Sequence, residues 1–276
     1  MIKLTAIQLC SKPDVGENLQ AIANQINNMK SQQSAEVTDN IVVLPECCLY
    51  FGGRDSEQLE LAKSSQSTNK LVSSLAEIAQ RFNIYLVAGS IPVLVPNQDK
   101  FTNQCCVFSP EGELLSAYDK IHLFDVDVAD SEANYRESRY TQAGQQAKVV
   151  QTPFANIGLS ICFDLRFPVL FQQLSKLGAN IITIPSAFTR VTGEAHWETL
   201  LKARAIENQA FVIAAAQEGV HANGRETWGH SMIISPWGDV LNCLPEGEGY
   251  VSATFELNKV KQIRQSMPLV SNLIVK

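Results

Sequence analysis

The 276-residue chain is predicted to fold as an α/β protein, with two mixed β-sheets packed face to face and helices outside them. Three observations carry this prediction. Eleven apolar or β-branched runs of strand length alternate with segments of helical spacing. Several of the runs are solidly apolar, which suits strands covered on both faces. Two pairs of runs are joined by short turns, SPEGE (Ser109–Glu113) and SPWGD (Ser235–Asp239). These read as hairpins, and they tilt the choice away from a single doubly wound sheet.

The elements follow in order. Ile2–Leu9 reads as a strand and Val15–Lys30 as a helix, and the polar segment Met29–Asn40 reads as an exposed helix end and loop. Asn40–Glu46 is a strand, Asn69–Phe82 a helix and Ile84–Ser90 a strand. After the loop Val95–Asn103 come the strands Asn103–Pro110 and Glu113–Asp119. Asp125–Ala147 is polar with weak periodicity and is expected to be a long irregular connection; such loops inside compact domains are usually functional. The strands Ala147–Pro153 and Ala155–Phe163 precede the helix Pro168–Leu177 and the strand Asn180–Ser186. Trp197, Leu200, Leu201, Arg204 and Ala205 recur on successive turns, so Ala195–Ala210 is helical. The strands Phe211–Gln217, His230–Pro236 and Tyr250–Glu256 complete the count, with His221–Thr227 as a surface loop. No linker, repeat or low-complexity block interrupts the chain. Residues 1–276 are therefore read as one domain, with a tail from about residue 268.

The composition is 45% hydrophobic and 18% charged, enough to bury a substantial core. A net charge of −6 with no basic run argues against a nucleic-acid partner. No apolar stretch reaches the ~18 residues of a membrane span. MIKLTAIQLC reads as a strand, without the features of a signal peptide, so a cytoplasmic location is expected. Seven cysteines in such a chain argue against disulfides. Cys47–Cys48 and Cys105–Cys106 are adjacent pairs without zinc-knuckle spacing, and none of the four histidines stands at ligand spacing to them. No metal and no cofactor is expected.

Three strands end in, or run into, chemically useful residues: Glu46, Lys120 and Cys162, separated by 74 and 42 residues. In α/β sheets, ligands collect beyond the carboxyl ends of strands. Together the three form a kit for amide hydrolysis. Cys162 is the nucleophile once deprotonated. Glu46 takes and returns its proton. Lys120, with the backbone N–H of Phe163, faces the oxyanion. Each residue alone also fits a bland role: a buried core thiol, a carboxylate near a helix start, a solvated lysine.

The segments VLPECCLY (Val43–Tyr50), YDKIHLFDVDV (Tyr118–Val128) and GLSICFDLRFP (Gly158–Pro168) resemble, in order, the Glu, Lys and Cys motifs of the nitrilase (carbon–nitrogen hydrolase) superfamily. The resemblance runs from about residue 2 to about residue 268. It implies a four-layer αββα sandwich, a Glu46–Lys120–Cys162 triad and a cysteine thioester intermediate. It implies pairing of sandwiches through their helical layers, with the helix after Cys162 as one contact. It also implies a second glutamate, matched by Glu137 in NYRESRY, that orients the lysine and the substrate amide; a solvated loop acid is the alternative for Glu137.

The surroundings bear on substrate. Arg166, four residues after the cysteine, can fork onto a carboxylate or else pair with Asp164 or a helix end. His196 and Trp197 are expected at a helix start, where anions are favoured. These features suit a small dicarboxylate-like acyl group. RFP (Arg166–Pro168), PSAF (Pro185–Phe188, with Ser186 and Phe188) and AAAQEG (Ala214–Gly219) are similar to the superfamily branch of deaminated glutathione amidases and omega-amidases. That branch acts on 2-oxoglutaramyl groups and releases cysteinylglycine or ammonia respectively; the three segments lean to the former. Glu194 stands where proline is usual in that branch, and PLVSNLIVK departs from its basic tail. A catalytically silent binding protein is the alternative of another class, and the intact Glu, Lys and Cys argue against it. A redox-sensor role for Cys162 is weaker, since no resolving cysteine lies near it in sequence.

Overall fold

The computed structural model describes residues 1–128 and 134–269. The chain opens with β1 (Ile2–Gln8) and α1 (Val15–Ser31), and Asp14 caps the helix by accepting the Glu17 N–H. β2 (Asp39–Val43), α2 (Asp55–Gln66), α3 (Lys70–Phe82), β3 (Tyr85–Val87), β4 (Ile91–Leu94), β5 (Phe101–Phe108) and β6 (Leu114–Asp119) follow. β7 (Asp125–Asp127) pairs with β8 (Asn134–Arg136). Next come β9 (Val149–Gln151), β10 (Asn156–Leu159), α4 (Pro168–Lys176), β11 (Ile181–Ser186) and α5 (Arg190–Asn208). The chain continues through β12 (Phe211–Ala216), the paired β13 (Glu218–Val220) and β14 (Glu226–Trp228), β15 (Ser231–Ile234), β16 (Val240–Leu244), β17 (Gly249–Phe255) and α6 (Leu257–Ser266).

Two mixed sheets form the centre. One runs β17-β1-β2-β3-β5-β4, with β6 added on β5; the other runs β16-β15-β12-β11-β10-β9. The predicted turns Ser109–Glu113 and Ser235–Asp239 join the antiparallel pairs β5–β6 and β15–β16. Side chains alternate across the first sheet, as strand geometry requires. Leu4, Ala6, Ile41, Val43, Cys105 and Val107 face the second sheet and share one core with Ile157, Leu159, Ile181 and Ile213. Ile7, Val42, Leu44, Cys106 and Phe108 face the opposite way, onto Ile22 and Ile26 of α1 and Leu75 and Ile78 of α3. Leu174 of α4 and Leu201 of α5 cover the second sheet from outside. The fold is a four-layer αββα sandwich.

Some elements differ from expectation. α2 buries only Leu59 and Ala62, and α6 only Val260, so neither carries a stripe wide enough to read by spacing. β4 contains Pro92, which is tolerated because the strand lies at a sheet edge. The strand predicted to reach Phe163 ends at Leu159. α5 starts at Arg190, five residues earlier than predicted, with Thr189 as its cap. On α4, Leu170 and Phe171 are core residues, whereas Pro168 and Val169 are exposed. The tail beyond residue 269 lies outside the described residues.

Two glycines fix the strand ends that matter for the site. Gly89 has φ +51°, and a Cβ there would lie 1.9 Å from the Pro45 carbonyl oxygen. A Cβ on Gly144 would lie 2.1 Å from the Asp119 carbonyl oxygen. Only residues without side chains let these loops close on the segments that carry Glu46 and Lys120. Gly89→Ala is expected to cost about 3 kcal/mol through left-handed strain and backbone clash. Urea unfolding checks this, and a loss below about 1 kcal/mol would show that the loop relaxes freely.

Candidate active site

Glu46 lies three residues past β2, Lys120 one past β6 and Cys162 three past β10. The first two strands belong to one sheet and the third to the other. Their ends meet at one cleft. Glu46, Lys120, Glu137, Cys162, Phe163, Arg166 and Phe188 all line it.

A buried cation between two acids organises the floor. Lys120 is 2% exposed. Its Nζ donates to Glu46 Oε1 at 2.8 Å and to Glu137 Oε2 at 2.8 Å. Desolvation alone would lower its pKa, but the charges of Glu137 and Glu46 outweigh that and hold it well above the usual lysine value. Burial pushes Glu137 up, the nearby Glu46 charge adds to this, and Lys120 opposes it. The Phe124 N–H donates to Glu137 Oε2 at 2.7 Å, so Glu137 is a buttressed floor residue rather than a solvated loop acid. Glu46 Oε2 accepts the Ala187 N–H at 3.1 Å, tying the acid to the end of β11 in the other sheet.

Cys162 stands at φ +49°, an uncommon left-handed conformation for a non-glycine residue, at the start of a single 3₁₀ turn (Cys162–Arg166). Asp164, fully buried, pins this turn. It accepts the Ile161 N–H, the Tyr118 hydroxyl, and both the backbone N–H and the Nδ1 of His122. One carboxyl thus ties the cysteine turn to the segment that carries Lys120. Burial pushes the Cys162 thiol well up, the facing Glu46 carboxylate adds to the rise, and Lys120 counteracts it.

Asp164 is fully engaged elsewhere, so Arg166 does not pair with it. The Arg166 guanidinium lies 5.2 Å from the Phe188 ring centre and 5.9 Å from that of Phe163. Its Nη1 is 3.3 Å from His196 Nδ1. No carboxylate among the described residues forms an ion pair with it. Three predicted residues do not reach the cleft wall. Ser186 is fully buried and donates to the Ile184 carbonyl. Trp197 is 1% exposed, packs on Phe188 and donates to the His230 carbonyl. His196 stands behind Arg166. Both His196 and Trp197 sit in the second turn of α5, not at its start, because the helix begins earlier than predicted. Glu194 is exposed and borders a separate small pocket.

Sequence reasoning missed three contributors. Asn103 of β5 donates one amide nitrogen to Glu46 Oε1 at 3.0 Å and to Glu137 Oε1 at 3.3 Å. Gln217 donates to the Glu46 carbonyl at 2.9 Å and to Ser11 Oγ at 2.8 Å, bracing the segment from behind. Gln217 directly follows the apolar strand β12, whereas Asn103 lies inside β5 next to a second amide, Gln104. Arg225, in the segment predicted as a surface loop, also lines the cleft.

The comparisons with known proteins agree with this architecture. Residues 3–265 match the family model for the carbon-nitrogen hydrolases. A deaminated glutathione amidase of Synechocystis sp. is 41% identical over 273 residues, covering 98% of this chain and 97% of that protein. An omega-amidase NIT2 of Xenopus tropicalis is 35% identical over 268 residues, covering 97% and 93%. The crystal structure of Saccharomyces cerevisiae Nit3, a member of branch 10 of the nitrilase superfamily, matches with a TM-score of 0.86 at 31% identity, covering 99% of this chain and 97% of that one. The fold and the matches define an enzyme of the amide-hydrolysing class. The chain belongs to the carbon–nitrogen hydrolase family.

The loop beside the site carries a buried titratable group. His221 contacts the Ser11 carbonyl at 3.2 Å and Thr227 Oγ1 at 2.8 Å. Burial pushes its pKa down from 6.5 to about 4. A depressed pKa means that the neutral form is favoured on folding. The stability this contributes is present above pH 6.5 and is lost as pH falls through about 4. The full difference is about 3 kcal/mol. Urea unfolding at pH 7 and pH 4.5 is expected to show most of this loss in the wild type and little of it in His221→Gln. An identical pH dependence in both would remove the assignment.

Proposed function

We propose that the enzyme hydrolyses the amide of deaminated glutathione to 2-oxoglutarate and cysteinylglycine through a thioester on Cys162. One observation carries the reading: Glu46, Lys120 and Cys162 converge on one cleft whose wall presents the Arg166 guanidinium without a carboxylate partner among the described residues. The near-full-length Synechocystis relative named deaminated glutathione amidase supports the substrate.

The chemistry follows from the geometry. Because burial raises the Cys162 pKa, the resting nucleophile is the neutral thiol and needs a base within reach. Glu46 takes the proton as Sγ bonds to the amide carbon. Negative charge then develops on the carbonyl oxygen, beside the secured charge of Lys120 and the N–H of Phe163. The C–N bond breaks, Glu46 returns the proton to the leaving nitrogen, and an acyl thioester remains. Water attacks the thioester with Glu46 again as base, and release of the acid restores the thiol. Glu137 keeps Lys120 charged and in place. Arg166, stacked on aromatic faces, offers its N–H fork to the 2-oxo carboxylate.

Omega-amidase activity on 2-oxoglutaramate is the second reading, favoured by the Xenopus relative, since the acyl half of the two substrates is the same. Turnover of both compounds, with products identified by mass spectrometry, ranks them. Cys162→Ala is expected to abolish turnover with the fold intact; substantial activity in the folded variant would sink the mechanism. Arg166→Lys is expected to lower kcat/KM for deaminated glutathione about tenfold or more, as a charge-assisted fork worth about 1.5–3 kcal/mol is lost. A neutral amide of similar length serves as control, and equal losses on both would make Arg166 a bracing residue.

The proposal includes a homodimer formed through the helical layers. Val169 and Leu177, at α4 and just after it, are 63% and 55% exposed, and Val191 and Ile206 of α5 are each 46% exposed. Sedimentation equilibrium at micromolar concentration is expected to give twice the chain mass. A species of single-chain mass alone would refute the pairing.

A further inference from the structure

Arg136 and Arg225 line the cleft as well as Arg166; Arg136 is paired with Asp127, whereas the reaction above has no use for Arg225. Arg225 stands in the loop between β13 and β14, a different segment from the turn that carries Cys162 and Arg166. Its guanidinium carbon is 4.8 Å from the centre of the Tyr135 ring and 5.5 Å from that of Phe51. The loop holding it is closed on itself. The His221 N–H donates to the Arg225 carbonyl at 2.9 Å, and the Arg225 N–H donates to Asn223 Oδ1 at 3.1 Å. The side chain has no such closure. Its Nε is buried without a hydrogen-bond partner, and no carboxylate among the described residues pairs with the guanidinium, although Asp55 borders the same cleft.

A guanidinium held between aromatic rings keeps its N–H edge free, and that edge matches a carboxylate. A buried donor without an acceptor is costly, and a bound acceptor relieves the cost. Arg166 belongs to the nucleophile's own turn, four residues after Cys162. It therefore serves the acyl half of the substrate. A 2-oxoglutaramyl dipeptide has a second carboxylate beyond the scissile nitrogen, at the end of its leaving group. We propose that Arg225 binds the C-terminal carboxylate of the leaving peptide. It thereby favours substrates that release a short carboxylate-terminated peptide over those that release ammonia. This inference rests on the 2-oxoglutaramyl reading given above.

The test compares kcat/KM for deaminated glutathione, its C-terminal carboxamide and 2-oxoglutaramate. Wild type is expected to prefer the acid over the carboxamide by tenfold or more. Arg225→Gln is expected to bring that ratio close to one and to lower the ratio of deaminated glutathione to 2-oxoglutaramate about tenfold. Arg225→Lys, which keeps the charge without the fork, is expected to recover part of the preference. A wild-type enzyme indifferent to the carboxamide would overturn the inference without any variant being made, and so would an Arg225→Gln enzyme that keeps the full preference. Wild type that cleaves none of the three compounds overturns the substrate reading itself. Turnover of deaminated glutathione with no preference for the acid overturns only the role of Arg225.

Discussion

The site depends on keeping one ammonium out of water. Lys120 is almost completely buried, and moving a cation from water into a protein interior costs several kcal/mol before any partner is counted. Two carboxylates meet it at 2.8 Å, and their attraction outweighs the desolvation. Two acids around one cation leave a surplus negative charge, which the Asn103 amide and the N–H groups of Phe124 and Ala187 spread and stabilise. Removing Lys120 would leave two buried carboxylates facing one another without a cation. The cluster therefore constrains every segment that supplies a member of it.

Those segments come from both sheets, and the sandwich exists in the form that lets their ends meet. Glu46 follows a strand of one sheet and is tied through Ala187 to a strand of the other. Asp164 makes a second tie, from the cysteine turn to Tyr118 and His122 on either side of Lys120. The left-handed conformation of Cys162 is held by this carboxyl and by the 3₁₀ turn. Local strain at the nucleophile is thus balanced by hydrogen bonds made outside the reacting groups.

The sequence was most legible where a pattern is dense. Strands covered on both faces read as apolar runs, and two short turns betrayed the hairpins that separate a two-sheet layout from a doubly wound one. Glu46, Lys120 and Cys162 were visible because each breaks an apolar run at its end. Gln217 ends a run too, and Asn103 precedes one, but an amide has many structural uses, so the signal carried no direction. His196 and Trp197 were placed on the right helix but in the wrong turn. The cap at Thr189 precedes a first turn, Arg190–Gly193, whose one large apolar residue, Val191, is exposed, so the turn adds nothing to the buried stripe that marks the helix. α2 and α6 bury too few residues to leave any period at all.

The strand order has a consequence for synthesis. β1 lies between β2 and β17 and pairs with β17 at seven successive positions, from Ile2 opposite Phe255 to Gln8 opposite Gly249. Of the described strands, the one made first is therefore completed by the one made last. Until then one edge of β1 presents unpaired backbone groups next to an apolar face, an arrangement that invites pairing with a foreign strand. A nascent or truncated chain lacking β17 has already made Glu46, Lys120 and Cys162, yet it carries an open edge beside them. Protection of that edge during translation falls to whatever else binds the growing chain.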